Sequence, residues 1–134
     1  MAIQWDASMS TGLEAIDAQH KQLIQWLNDL LEAMSIGKGR QELAGVLAQL
    51  GDYTRTHFGY EEECMTRYKC PVASANASAH KDFIRILGEF QAEFSRTGAT
   101  SHMVVSLENE LMQWLVLHIK RTDTQLLPCV KATA

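Results

Sequence analysis

Apolar residues recur at alternating steps of three and four along most of the chain, and no stretch shows the strict alternation of a strand. The first stripe is Leu13, Ile16, His20, Leu23, Leu27, Leu30 and Met34. Such a stripe follows one side of an α-helix, because 3.6 residues complete a turn. It stops at SIGKG, where Gly37 and Gly39 are helix breakers. The second stripe carries Leu43, Val46, Leu47, Leu50, Tyr53, His57, Glu61, Cys64 and Tyr68. Cys70-Pro71 closes it, since the residue before a proline avoids helical geometry. The third runs Ala73, Asn76, His80, Phe83, Leu87, Phe90 and Phe94 and ends in RTGATS. The fourth shows Val104, Leu107, Leu111, Trp114, Leu115, His118 and Leu126. Thr100 or Ser101 suits its N-cap, and Pro128 is expected to stop it.

Four amphipathic helices with short connections predict an all-α fold, an up-down-up-down antiparallel four-helix bundle. The helices are expected at about residues 13–35, 40–69, 73–95 and 101–127, in a single domain over 1–134. An irregular N-terminal arm, about residues 1–12, precedes them, with Trp5 expected to pack on the bundle.

The stripes are not purely apolar. His20, His57, His80 and His118 each lie in one, so every helix points an imidazole into the same core. Glu61 follows His57 by one turn, and residues four apart are neighbours on a helix. Asp123 follows His118 by five, which places it roughly 140° round a regular helix. It joins the others only if the helix is locally widened or its end is irregular. One buried histidine is ordinarily a hydrogen-bonded core residue. Four of them with a buried carboxylate would leave too many polar groups without partners, at a high cost in stability. Imidazole nitrogens and carboxylate oxygens together suit iron, manganese or zinc. Six such donors exceed what one structural zinc needs, and two carboxylates can bridge two cations. His102 falls off the stripe and is expected on the surface. Glu62 and Glu63 are expected to face solvent, and Cys64 is expected to be a small core residue. HExxH and Glu-x-x-His motifs are absent, and Asp17-x-x-His20 is the nearest approach to the latter.

Composition narrows the setting. The 134 residues, 46% of them apolar, suffice for one domain with its own core. The net charge is −4 and the pI about 5.7, with no basic patch, which disfavours a nucleic-acid partner. No apolar run approaches the ~20 residues of a membrane span. The start MAIQWDASMS lacks the basic and apolar regions of a secretory signal. The three cysteines show no paired spacing, so free thiols in a reducing cytoplasm are expected.

The segments IDAQHKQLI, HFGYEEE, AHKDF and WLVLHIKRTD resemble the hemerythrin family, in particular its bacterial members, across nearly the whole chain. The resemblance implies a four-helix bundle and a non-heme di-iron centre with an oxo or hydroxo bridge. His20 and His57 would ligate one iron, and His80 and His118 the other. Glu61 and Asp123 would bridge the two. Dioxygen, or another small diatomic ligand, would bind at an open position beside an apolar wall. Ile24, Leu111, Trp114 and Leu115 are the candidates for that wall by helical spacing.

One position departs from the family pattern. The third helix reads NASAH where the family usually shows HxxxH, so Asn76 stands in place of a histidine. A six-ligand site is therefore expected, with solvent or nothing in the seventh position. Direct ligation by Asn76 is the weaker alternative, since carboxamide oxygens suit harder cations. Oxygen or redox sensing, or oxygen carriage, is then the leading function. Domains of this kind also occur fused to signalling modules. A di-iron enzyme that reduces peroxide or nitric oxide ranks below it, because no further acid, base or substrate pocket is evident. A metal-storage bundle is the third reading.

Overall fold

A computed structural model of the chain describes residues 3–37, 40–98 and 100–133. Three long helices, α1 (Glu14–Ser35), α2 (Arg40–Arg67) and α3 (Ala73–Thr97), are followed by a composite fourth leg. That leg comprises α4 (Ser101–Ser106), a π-helical stretch (Leu107–Met112), α5 (Gln113–Arg121), a 3-10 turn (Asp123–Gln125) and α6 (Leu126–Thr133). Helix α1 packs on α2 and α2 on α3, and the π stretch touches both α3 and α1, so the fourth leg closes an all-α four-helix bundle. No strand occurs among the described residues.

Each leg forms because its apolar stripe has a facing stripe to bury against. On α1 the buried residues are Ile16, His20, Leu23, Ile24, Leu27, Leu30, Leu31 and Met34. Gly37 adopts a positive φ of 78° as the chain leaves α1, whereas Gly39 lies outside the described residues. Thr100 is the cap of α4, its side chain accepting from Met103 N at 3.2 Å. The packed residues form two clusters. The larger one fills most of the bundle, and a smaller one holds Ile16, Met65, Cys70 and Leu126. The polar residues of the stripes form a layer between them, as their order along each helix requires.

The arm is tied down by specific contacts. Asn28 exchanges two 2.8 Å hydrogen bonds with the backbone of Ile3. Trp5 packs against the main cluster with Lys21 Nζ 5.1 Å above its ring. Asp17 accepts from Thr11 N at 2.8 Å, Thr11 Oγ1 at 2.7 Å and Ser10 Oγ at 2.9 Å. Gly12 has φ +81°, the left-handed region that favours glycine, and a Cβ there would also press on the tip of the Leu127 side chain.

Two expectations are corrected. Pro128 does not stop the last helix but sits in the first turn of α6, where its missing N–H would have had no helical partner. The thiols are not all free. Cys70 and Cys129, 59 positions apart, form a disulfide, and only Cys64 is free and half-buried. The pairing arises because α6 returns to the turn between α2 and α3, a proximity that linear spacing does not show.

The disulfide closes a long loop. Replacing Cys129 with Ser should therefore lower the unfolding free energy by about 2–4 kcal/mol, the usual worth of such a link. Urea midpoints of the two proteins measure this. Equal midpoints would show that the bond adds nothing to stability.

Candidate metal centre

All four stripe histidines and both carboxylates reach one layer and are buried: His20 and Glu61 are 0% exposed, and His118, the most exposed, is 7%. Glu61 lies one turn beyond His57 on α2, as the spacing of four requires. Asp123 arrives by the second of the two expected routes. Helix α5 ends at Arg121, Thr122 departs to φ −114°, and the 3-10 turn points Asp123 inward. The π stretch is a separate irregularity further upstream. It sets buried Met112 five positions after buried Leu107, and this widened turn shifts the phase of the following helix.

The two carboxylates divide their oxygens between two pairs of histidines. Glu61 Oε2 is 3.2 Å from His20 Nε2 and 3.5 Å from His57 Nε2. Glu61 Oε1 is 3.1 Å from His80 Nε2. Asp123 Oδ2 is 3.1 Å from His20 Nε2, and Asp123 Oδ1 is 3.3 Å from His118 Nε2. The Nε2 atoms of His80 and His118 face each other at 3.2 Å. Two donor groups result, each with its atoms within 4.8 Å of one another. One is His20, His57 and Glu61; the other is Glu61, His80, His118 and Asp123.

These atoms are crowded yet poorly hydrogen-bonded. Both ring nitrogens of His20, His57 Nε2, Glu61 Oε2 and Asp123 Oδ1 are buried and lack an aligned partner. Nitrogens and oxygens that converge on common points without bonding one another fit a cation between them. The residues present therefore fit a bound metal.

Asn76 is also fully buried. Its Nδ2 lies 3.2 Å from Glu61 Oε1 and 3.2 Å from Met65 Sδ, and its Oδ1 has no partner. Burial would raise the Glu61 pKa, but contacts from His20, His57, His80 and Asp123 hold it well below the carboxylate range. An ionised carboxylate only accepts hydrogen bonds, so the amide nitrogen must be the atom turned toward it.

Several neighbours escaped the sequence reading. Gln19 Oε1 lies 2.6 Å from His57 Nδ1. Glu62 Oε2 lies 3.0 Å from His80 Nδ1, so Glu62 is not simply solvent-facing. Phe58 stacks on His80 with centroids 3.7 Å apart and planes 1° from parallel. Glu63 is exposed beside Arg67, and His102 is exposed as expected. Of the proposed apolar wall, Ile24, Leu111 and Leu115 are buried in the main cluster. Trp114 is half-buried and stacks on His118 at 4.6 Å, which puts it beside the His80 and His118 group.

A four-helix bundle with a buried layer of histidines and carboxylates defines a class of cation-binding bundles. The chain belongs to the hemerythrin family: the family model described as the hemerythrin HHE cation binding domain matches residues 11–130. It is similar to the bacteriohemerythrin of Pseudomonas aeruginosa, with 32% identity over 127 residues, covering 95% of this chain and 80% of that protein. The bacteriohemerythrin of Stenotrophomonas maltophilia is 31% identical over 128 residues, covering 96% and 81%. That of Methylococcus capsulatus is 27% identical over 126 residues, covering 94% of both. This chain is thus a metal-binding, hemerythrin-like protein.

Without metal the layer should titrate distinctively. Burial alone would lower the His20 pKa, but Asp123 and Glu61 carry it from 6.5 up to about 9. A raised histidine pKa stabilises the fold fully below the unfolded value near 6.5, and that gain is lost as pH rises through about 9. The metal-free protein should therefore lose on the order of a few kcal/mol between pH 6.5 and 9 through this residue. Metal must displace the same proton, so metal uptake at pH 7 should release acid and tighten as pH rises. Denaturant midpoints across this range and proton release during metal titration check both. A flat stability profile in the metal-free protein would refute the His20 assignment.

Proposed function

We propose that the chain is a non-heme di-iron protein that binds dioxygen or another small diatomic ligand, serving as an oxygen or redox sensor or as a carrier. The observation that carries this is the division of the Glu61 and Asp123 oxygens between the two histidine pairs. A carboxylate that presents one oxygen to each of two donor groups is built to bridge two cations, and N/O donors of this kind suit iron. His20 and His57 hold one iron in this reading, His80 and His118 the other, and Ile24, Leu111 and Leu115 supply an apolar environment for the ligand. Asn76 adds no imidazole, which leaves six protein ligands in this reading. Among the described residues no helix is long and apolar enough to cross a membrane. The cysteine argument for a reducing cytoplasm no longer holds, because two of the three thiols are joined.

Metal analysis tests the reading directly. The purified chain should carry two irons, and the reduced form should show a reversible optical change in air; one iron or none would sink the di-iron assignment. Glu61→Ala should strip both metals, since Glu61 serves both groups, whereas His57→Ala should leave one. Asn76→His should slow autoxidation by adding a donor. An unchanged rate would remove the six-ligand account while leaving the metal pair intact.

A further inference from the structure

The two donor groups differ in what stands behind their histidines. His57 Nδ1 meets a neutral carboxamide, Gln19 Oε1, at 2.6 Å. His80 Nδ1 meets a carboxylate, Glu62 Oε2, at 3.0 Å. A carboxylate oxygen accepts but does not donate, so the neutral His80 ring must carry its proton on Nδ1 and offer Nε2 inward. Phe58, stacked parallel on the same ring, fixes its plane. The Glu62 side chain is 36% exposed and lines a cleft of about 330 Å³ between α2 and α3, with Arg55 and Lys81 also along it. Glu62 can thus keep its charge in contact with water while His80 is buried. Carboxylates behind ligating imidazoles orient them and raise their basicity.

We propose that Glu62 is a positioning residue that makes the two metal positions unequal. Its carboxylate locks the His80 tautomer and places negative charge behind one metal, while Gln19 orients His57 without charge. The proposal rests on the two-metal reading above. It makes the His80 and His118 position the tighter one and the one that more readily takes the higher oxidation state.

Zinc(II) is the probe for affinity. Chelator competition on the zinc-loaded native chain should resolve two affinities. Glu62→Ala should weaken one of them by about 10–100-fold and spare the other. Glu62→Gln keeps an accepting oxygen and should lose less. Nitrogen-15 spectra of the imidazoles should show His80 protonated on Nδ1 in the native chain and in Glu62→Gln, but not in Glu62→Ala. In the iron-loaded protein, Glu62→Gln should bring the two one-electron steps closer together, because the hydrogen bond stays and the charge goes. Unchanged zinc affinities with an unchanged His80 signal in Glu62→Ala would overturn the proposal. Uptake of a single zinc by the native chain would instead defeat the two-metal reading. The His80 signal, read in the metal-free protein at alkaline pH, would still decide the role of Glu62.

Discussion

Everything in this bundle is organised around two buried carboxylates that each serve two masters. Glu61 and Asp123 lie at the centre of the molecule with almost no exposure, and each has one oxygen on either side of the layer. Isolated buried carboxylates are costly, and the surrounding imidazoles offset part of that cost, holding the Glu61 carboxyl well below its usual range. Several donors still lack a partner, among them both ring nitrogens of His20, and the apolar clusters above and below must stabilise the layer that holds them. Here function and stability oppose each other, and a bound cation is what reconciles them.

The helices deliver the donors with different degrees of security. His20, His57, Glu61 and His80 project from long regular helices, so their relative positions follow from packing alone. Asp123 comes from a short 3-10 turn after α5 has ended. Its placement depends on what holds that turn in place. Leu126, just beyond it, is fully buried in the small cluster, and the Cys70–Cys129 disulfide ties the following helix to the turn between α2 and α3. Gly12 lets the arm approach Leu127 on the same segment. Three separate contacts thus converge on the one donor that regular helix geometry cannot supply.

The stripes made the bundle readable, because a period near 3.6 identifies helices and a histidine inside each stripe marks a shared layer. Glu61 was readable for the same reason, standing one turn from His57. Asp123 was readable only as a candidate, since a regular helix would have turned it away and nothing in the letters QWLVLHIKRTD announces where the helix ends. Gln19 and Glu62 were not readable as functional. Each is the chain neighbour of a layer residue, on a flank of the helix that ordinarily meets water, and only the packing of the neighbouring helix brings it to a ring nitrogen. The disulfide was hidden by its sequence separation, and Pro128 was misjudged because a proline can open a helix as readily as it ends one.

Asn76 shows how a carboxamide can be accommodated in such a layer. A buried carboxamide needs partners on both of its ends, and a hydrocarbon of the same shape would leave Glu61 Oε1 with one contact fewer. Its nitrogen end is satisfied by Glu61 and approached by Met65, while its oxygen end is not satisfied by the protein. The residue therefore acts on the carboxylate from one side and keeps an acceptor available on the other. An imidazole in its place would offer a nitrogen donor to a cation; the amide instead donates a hydrogen bond to Glu61. The amide thus orients the carboxylate through a hydrogen bond and leaves one unpartnered oxygen, its Oδ1, inside the layer.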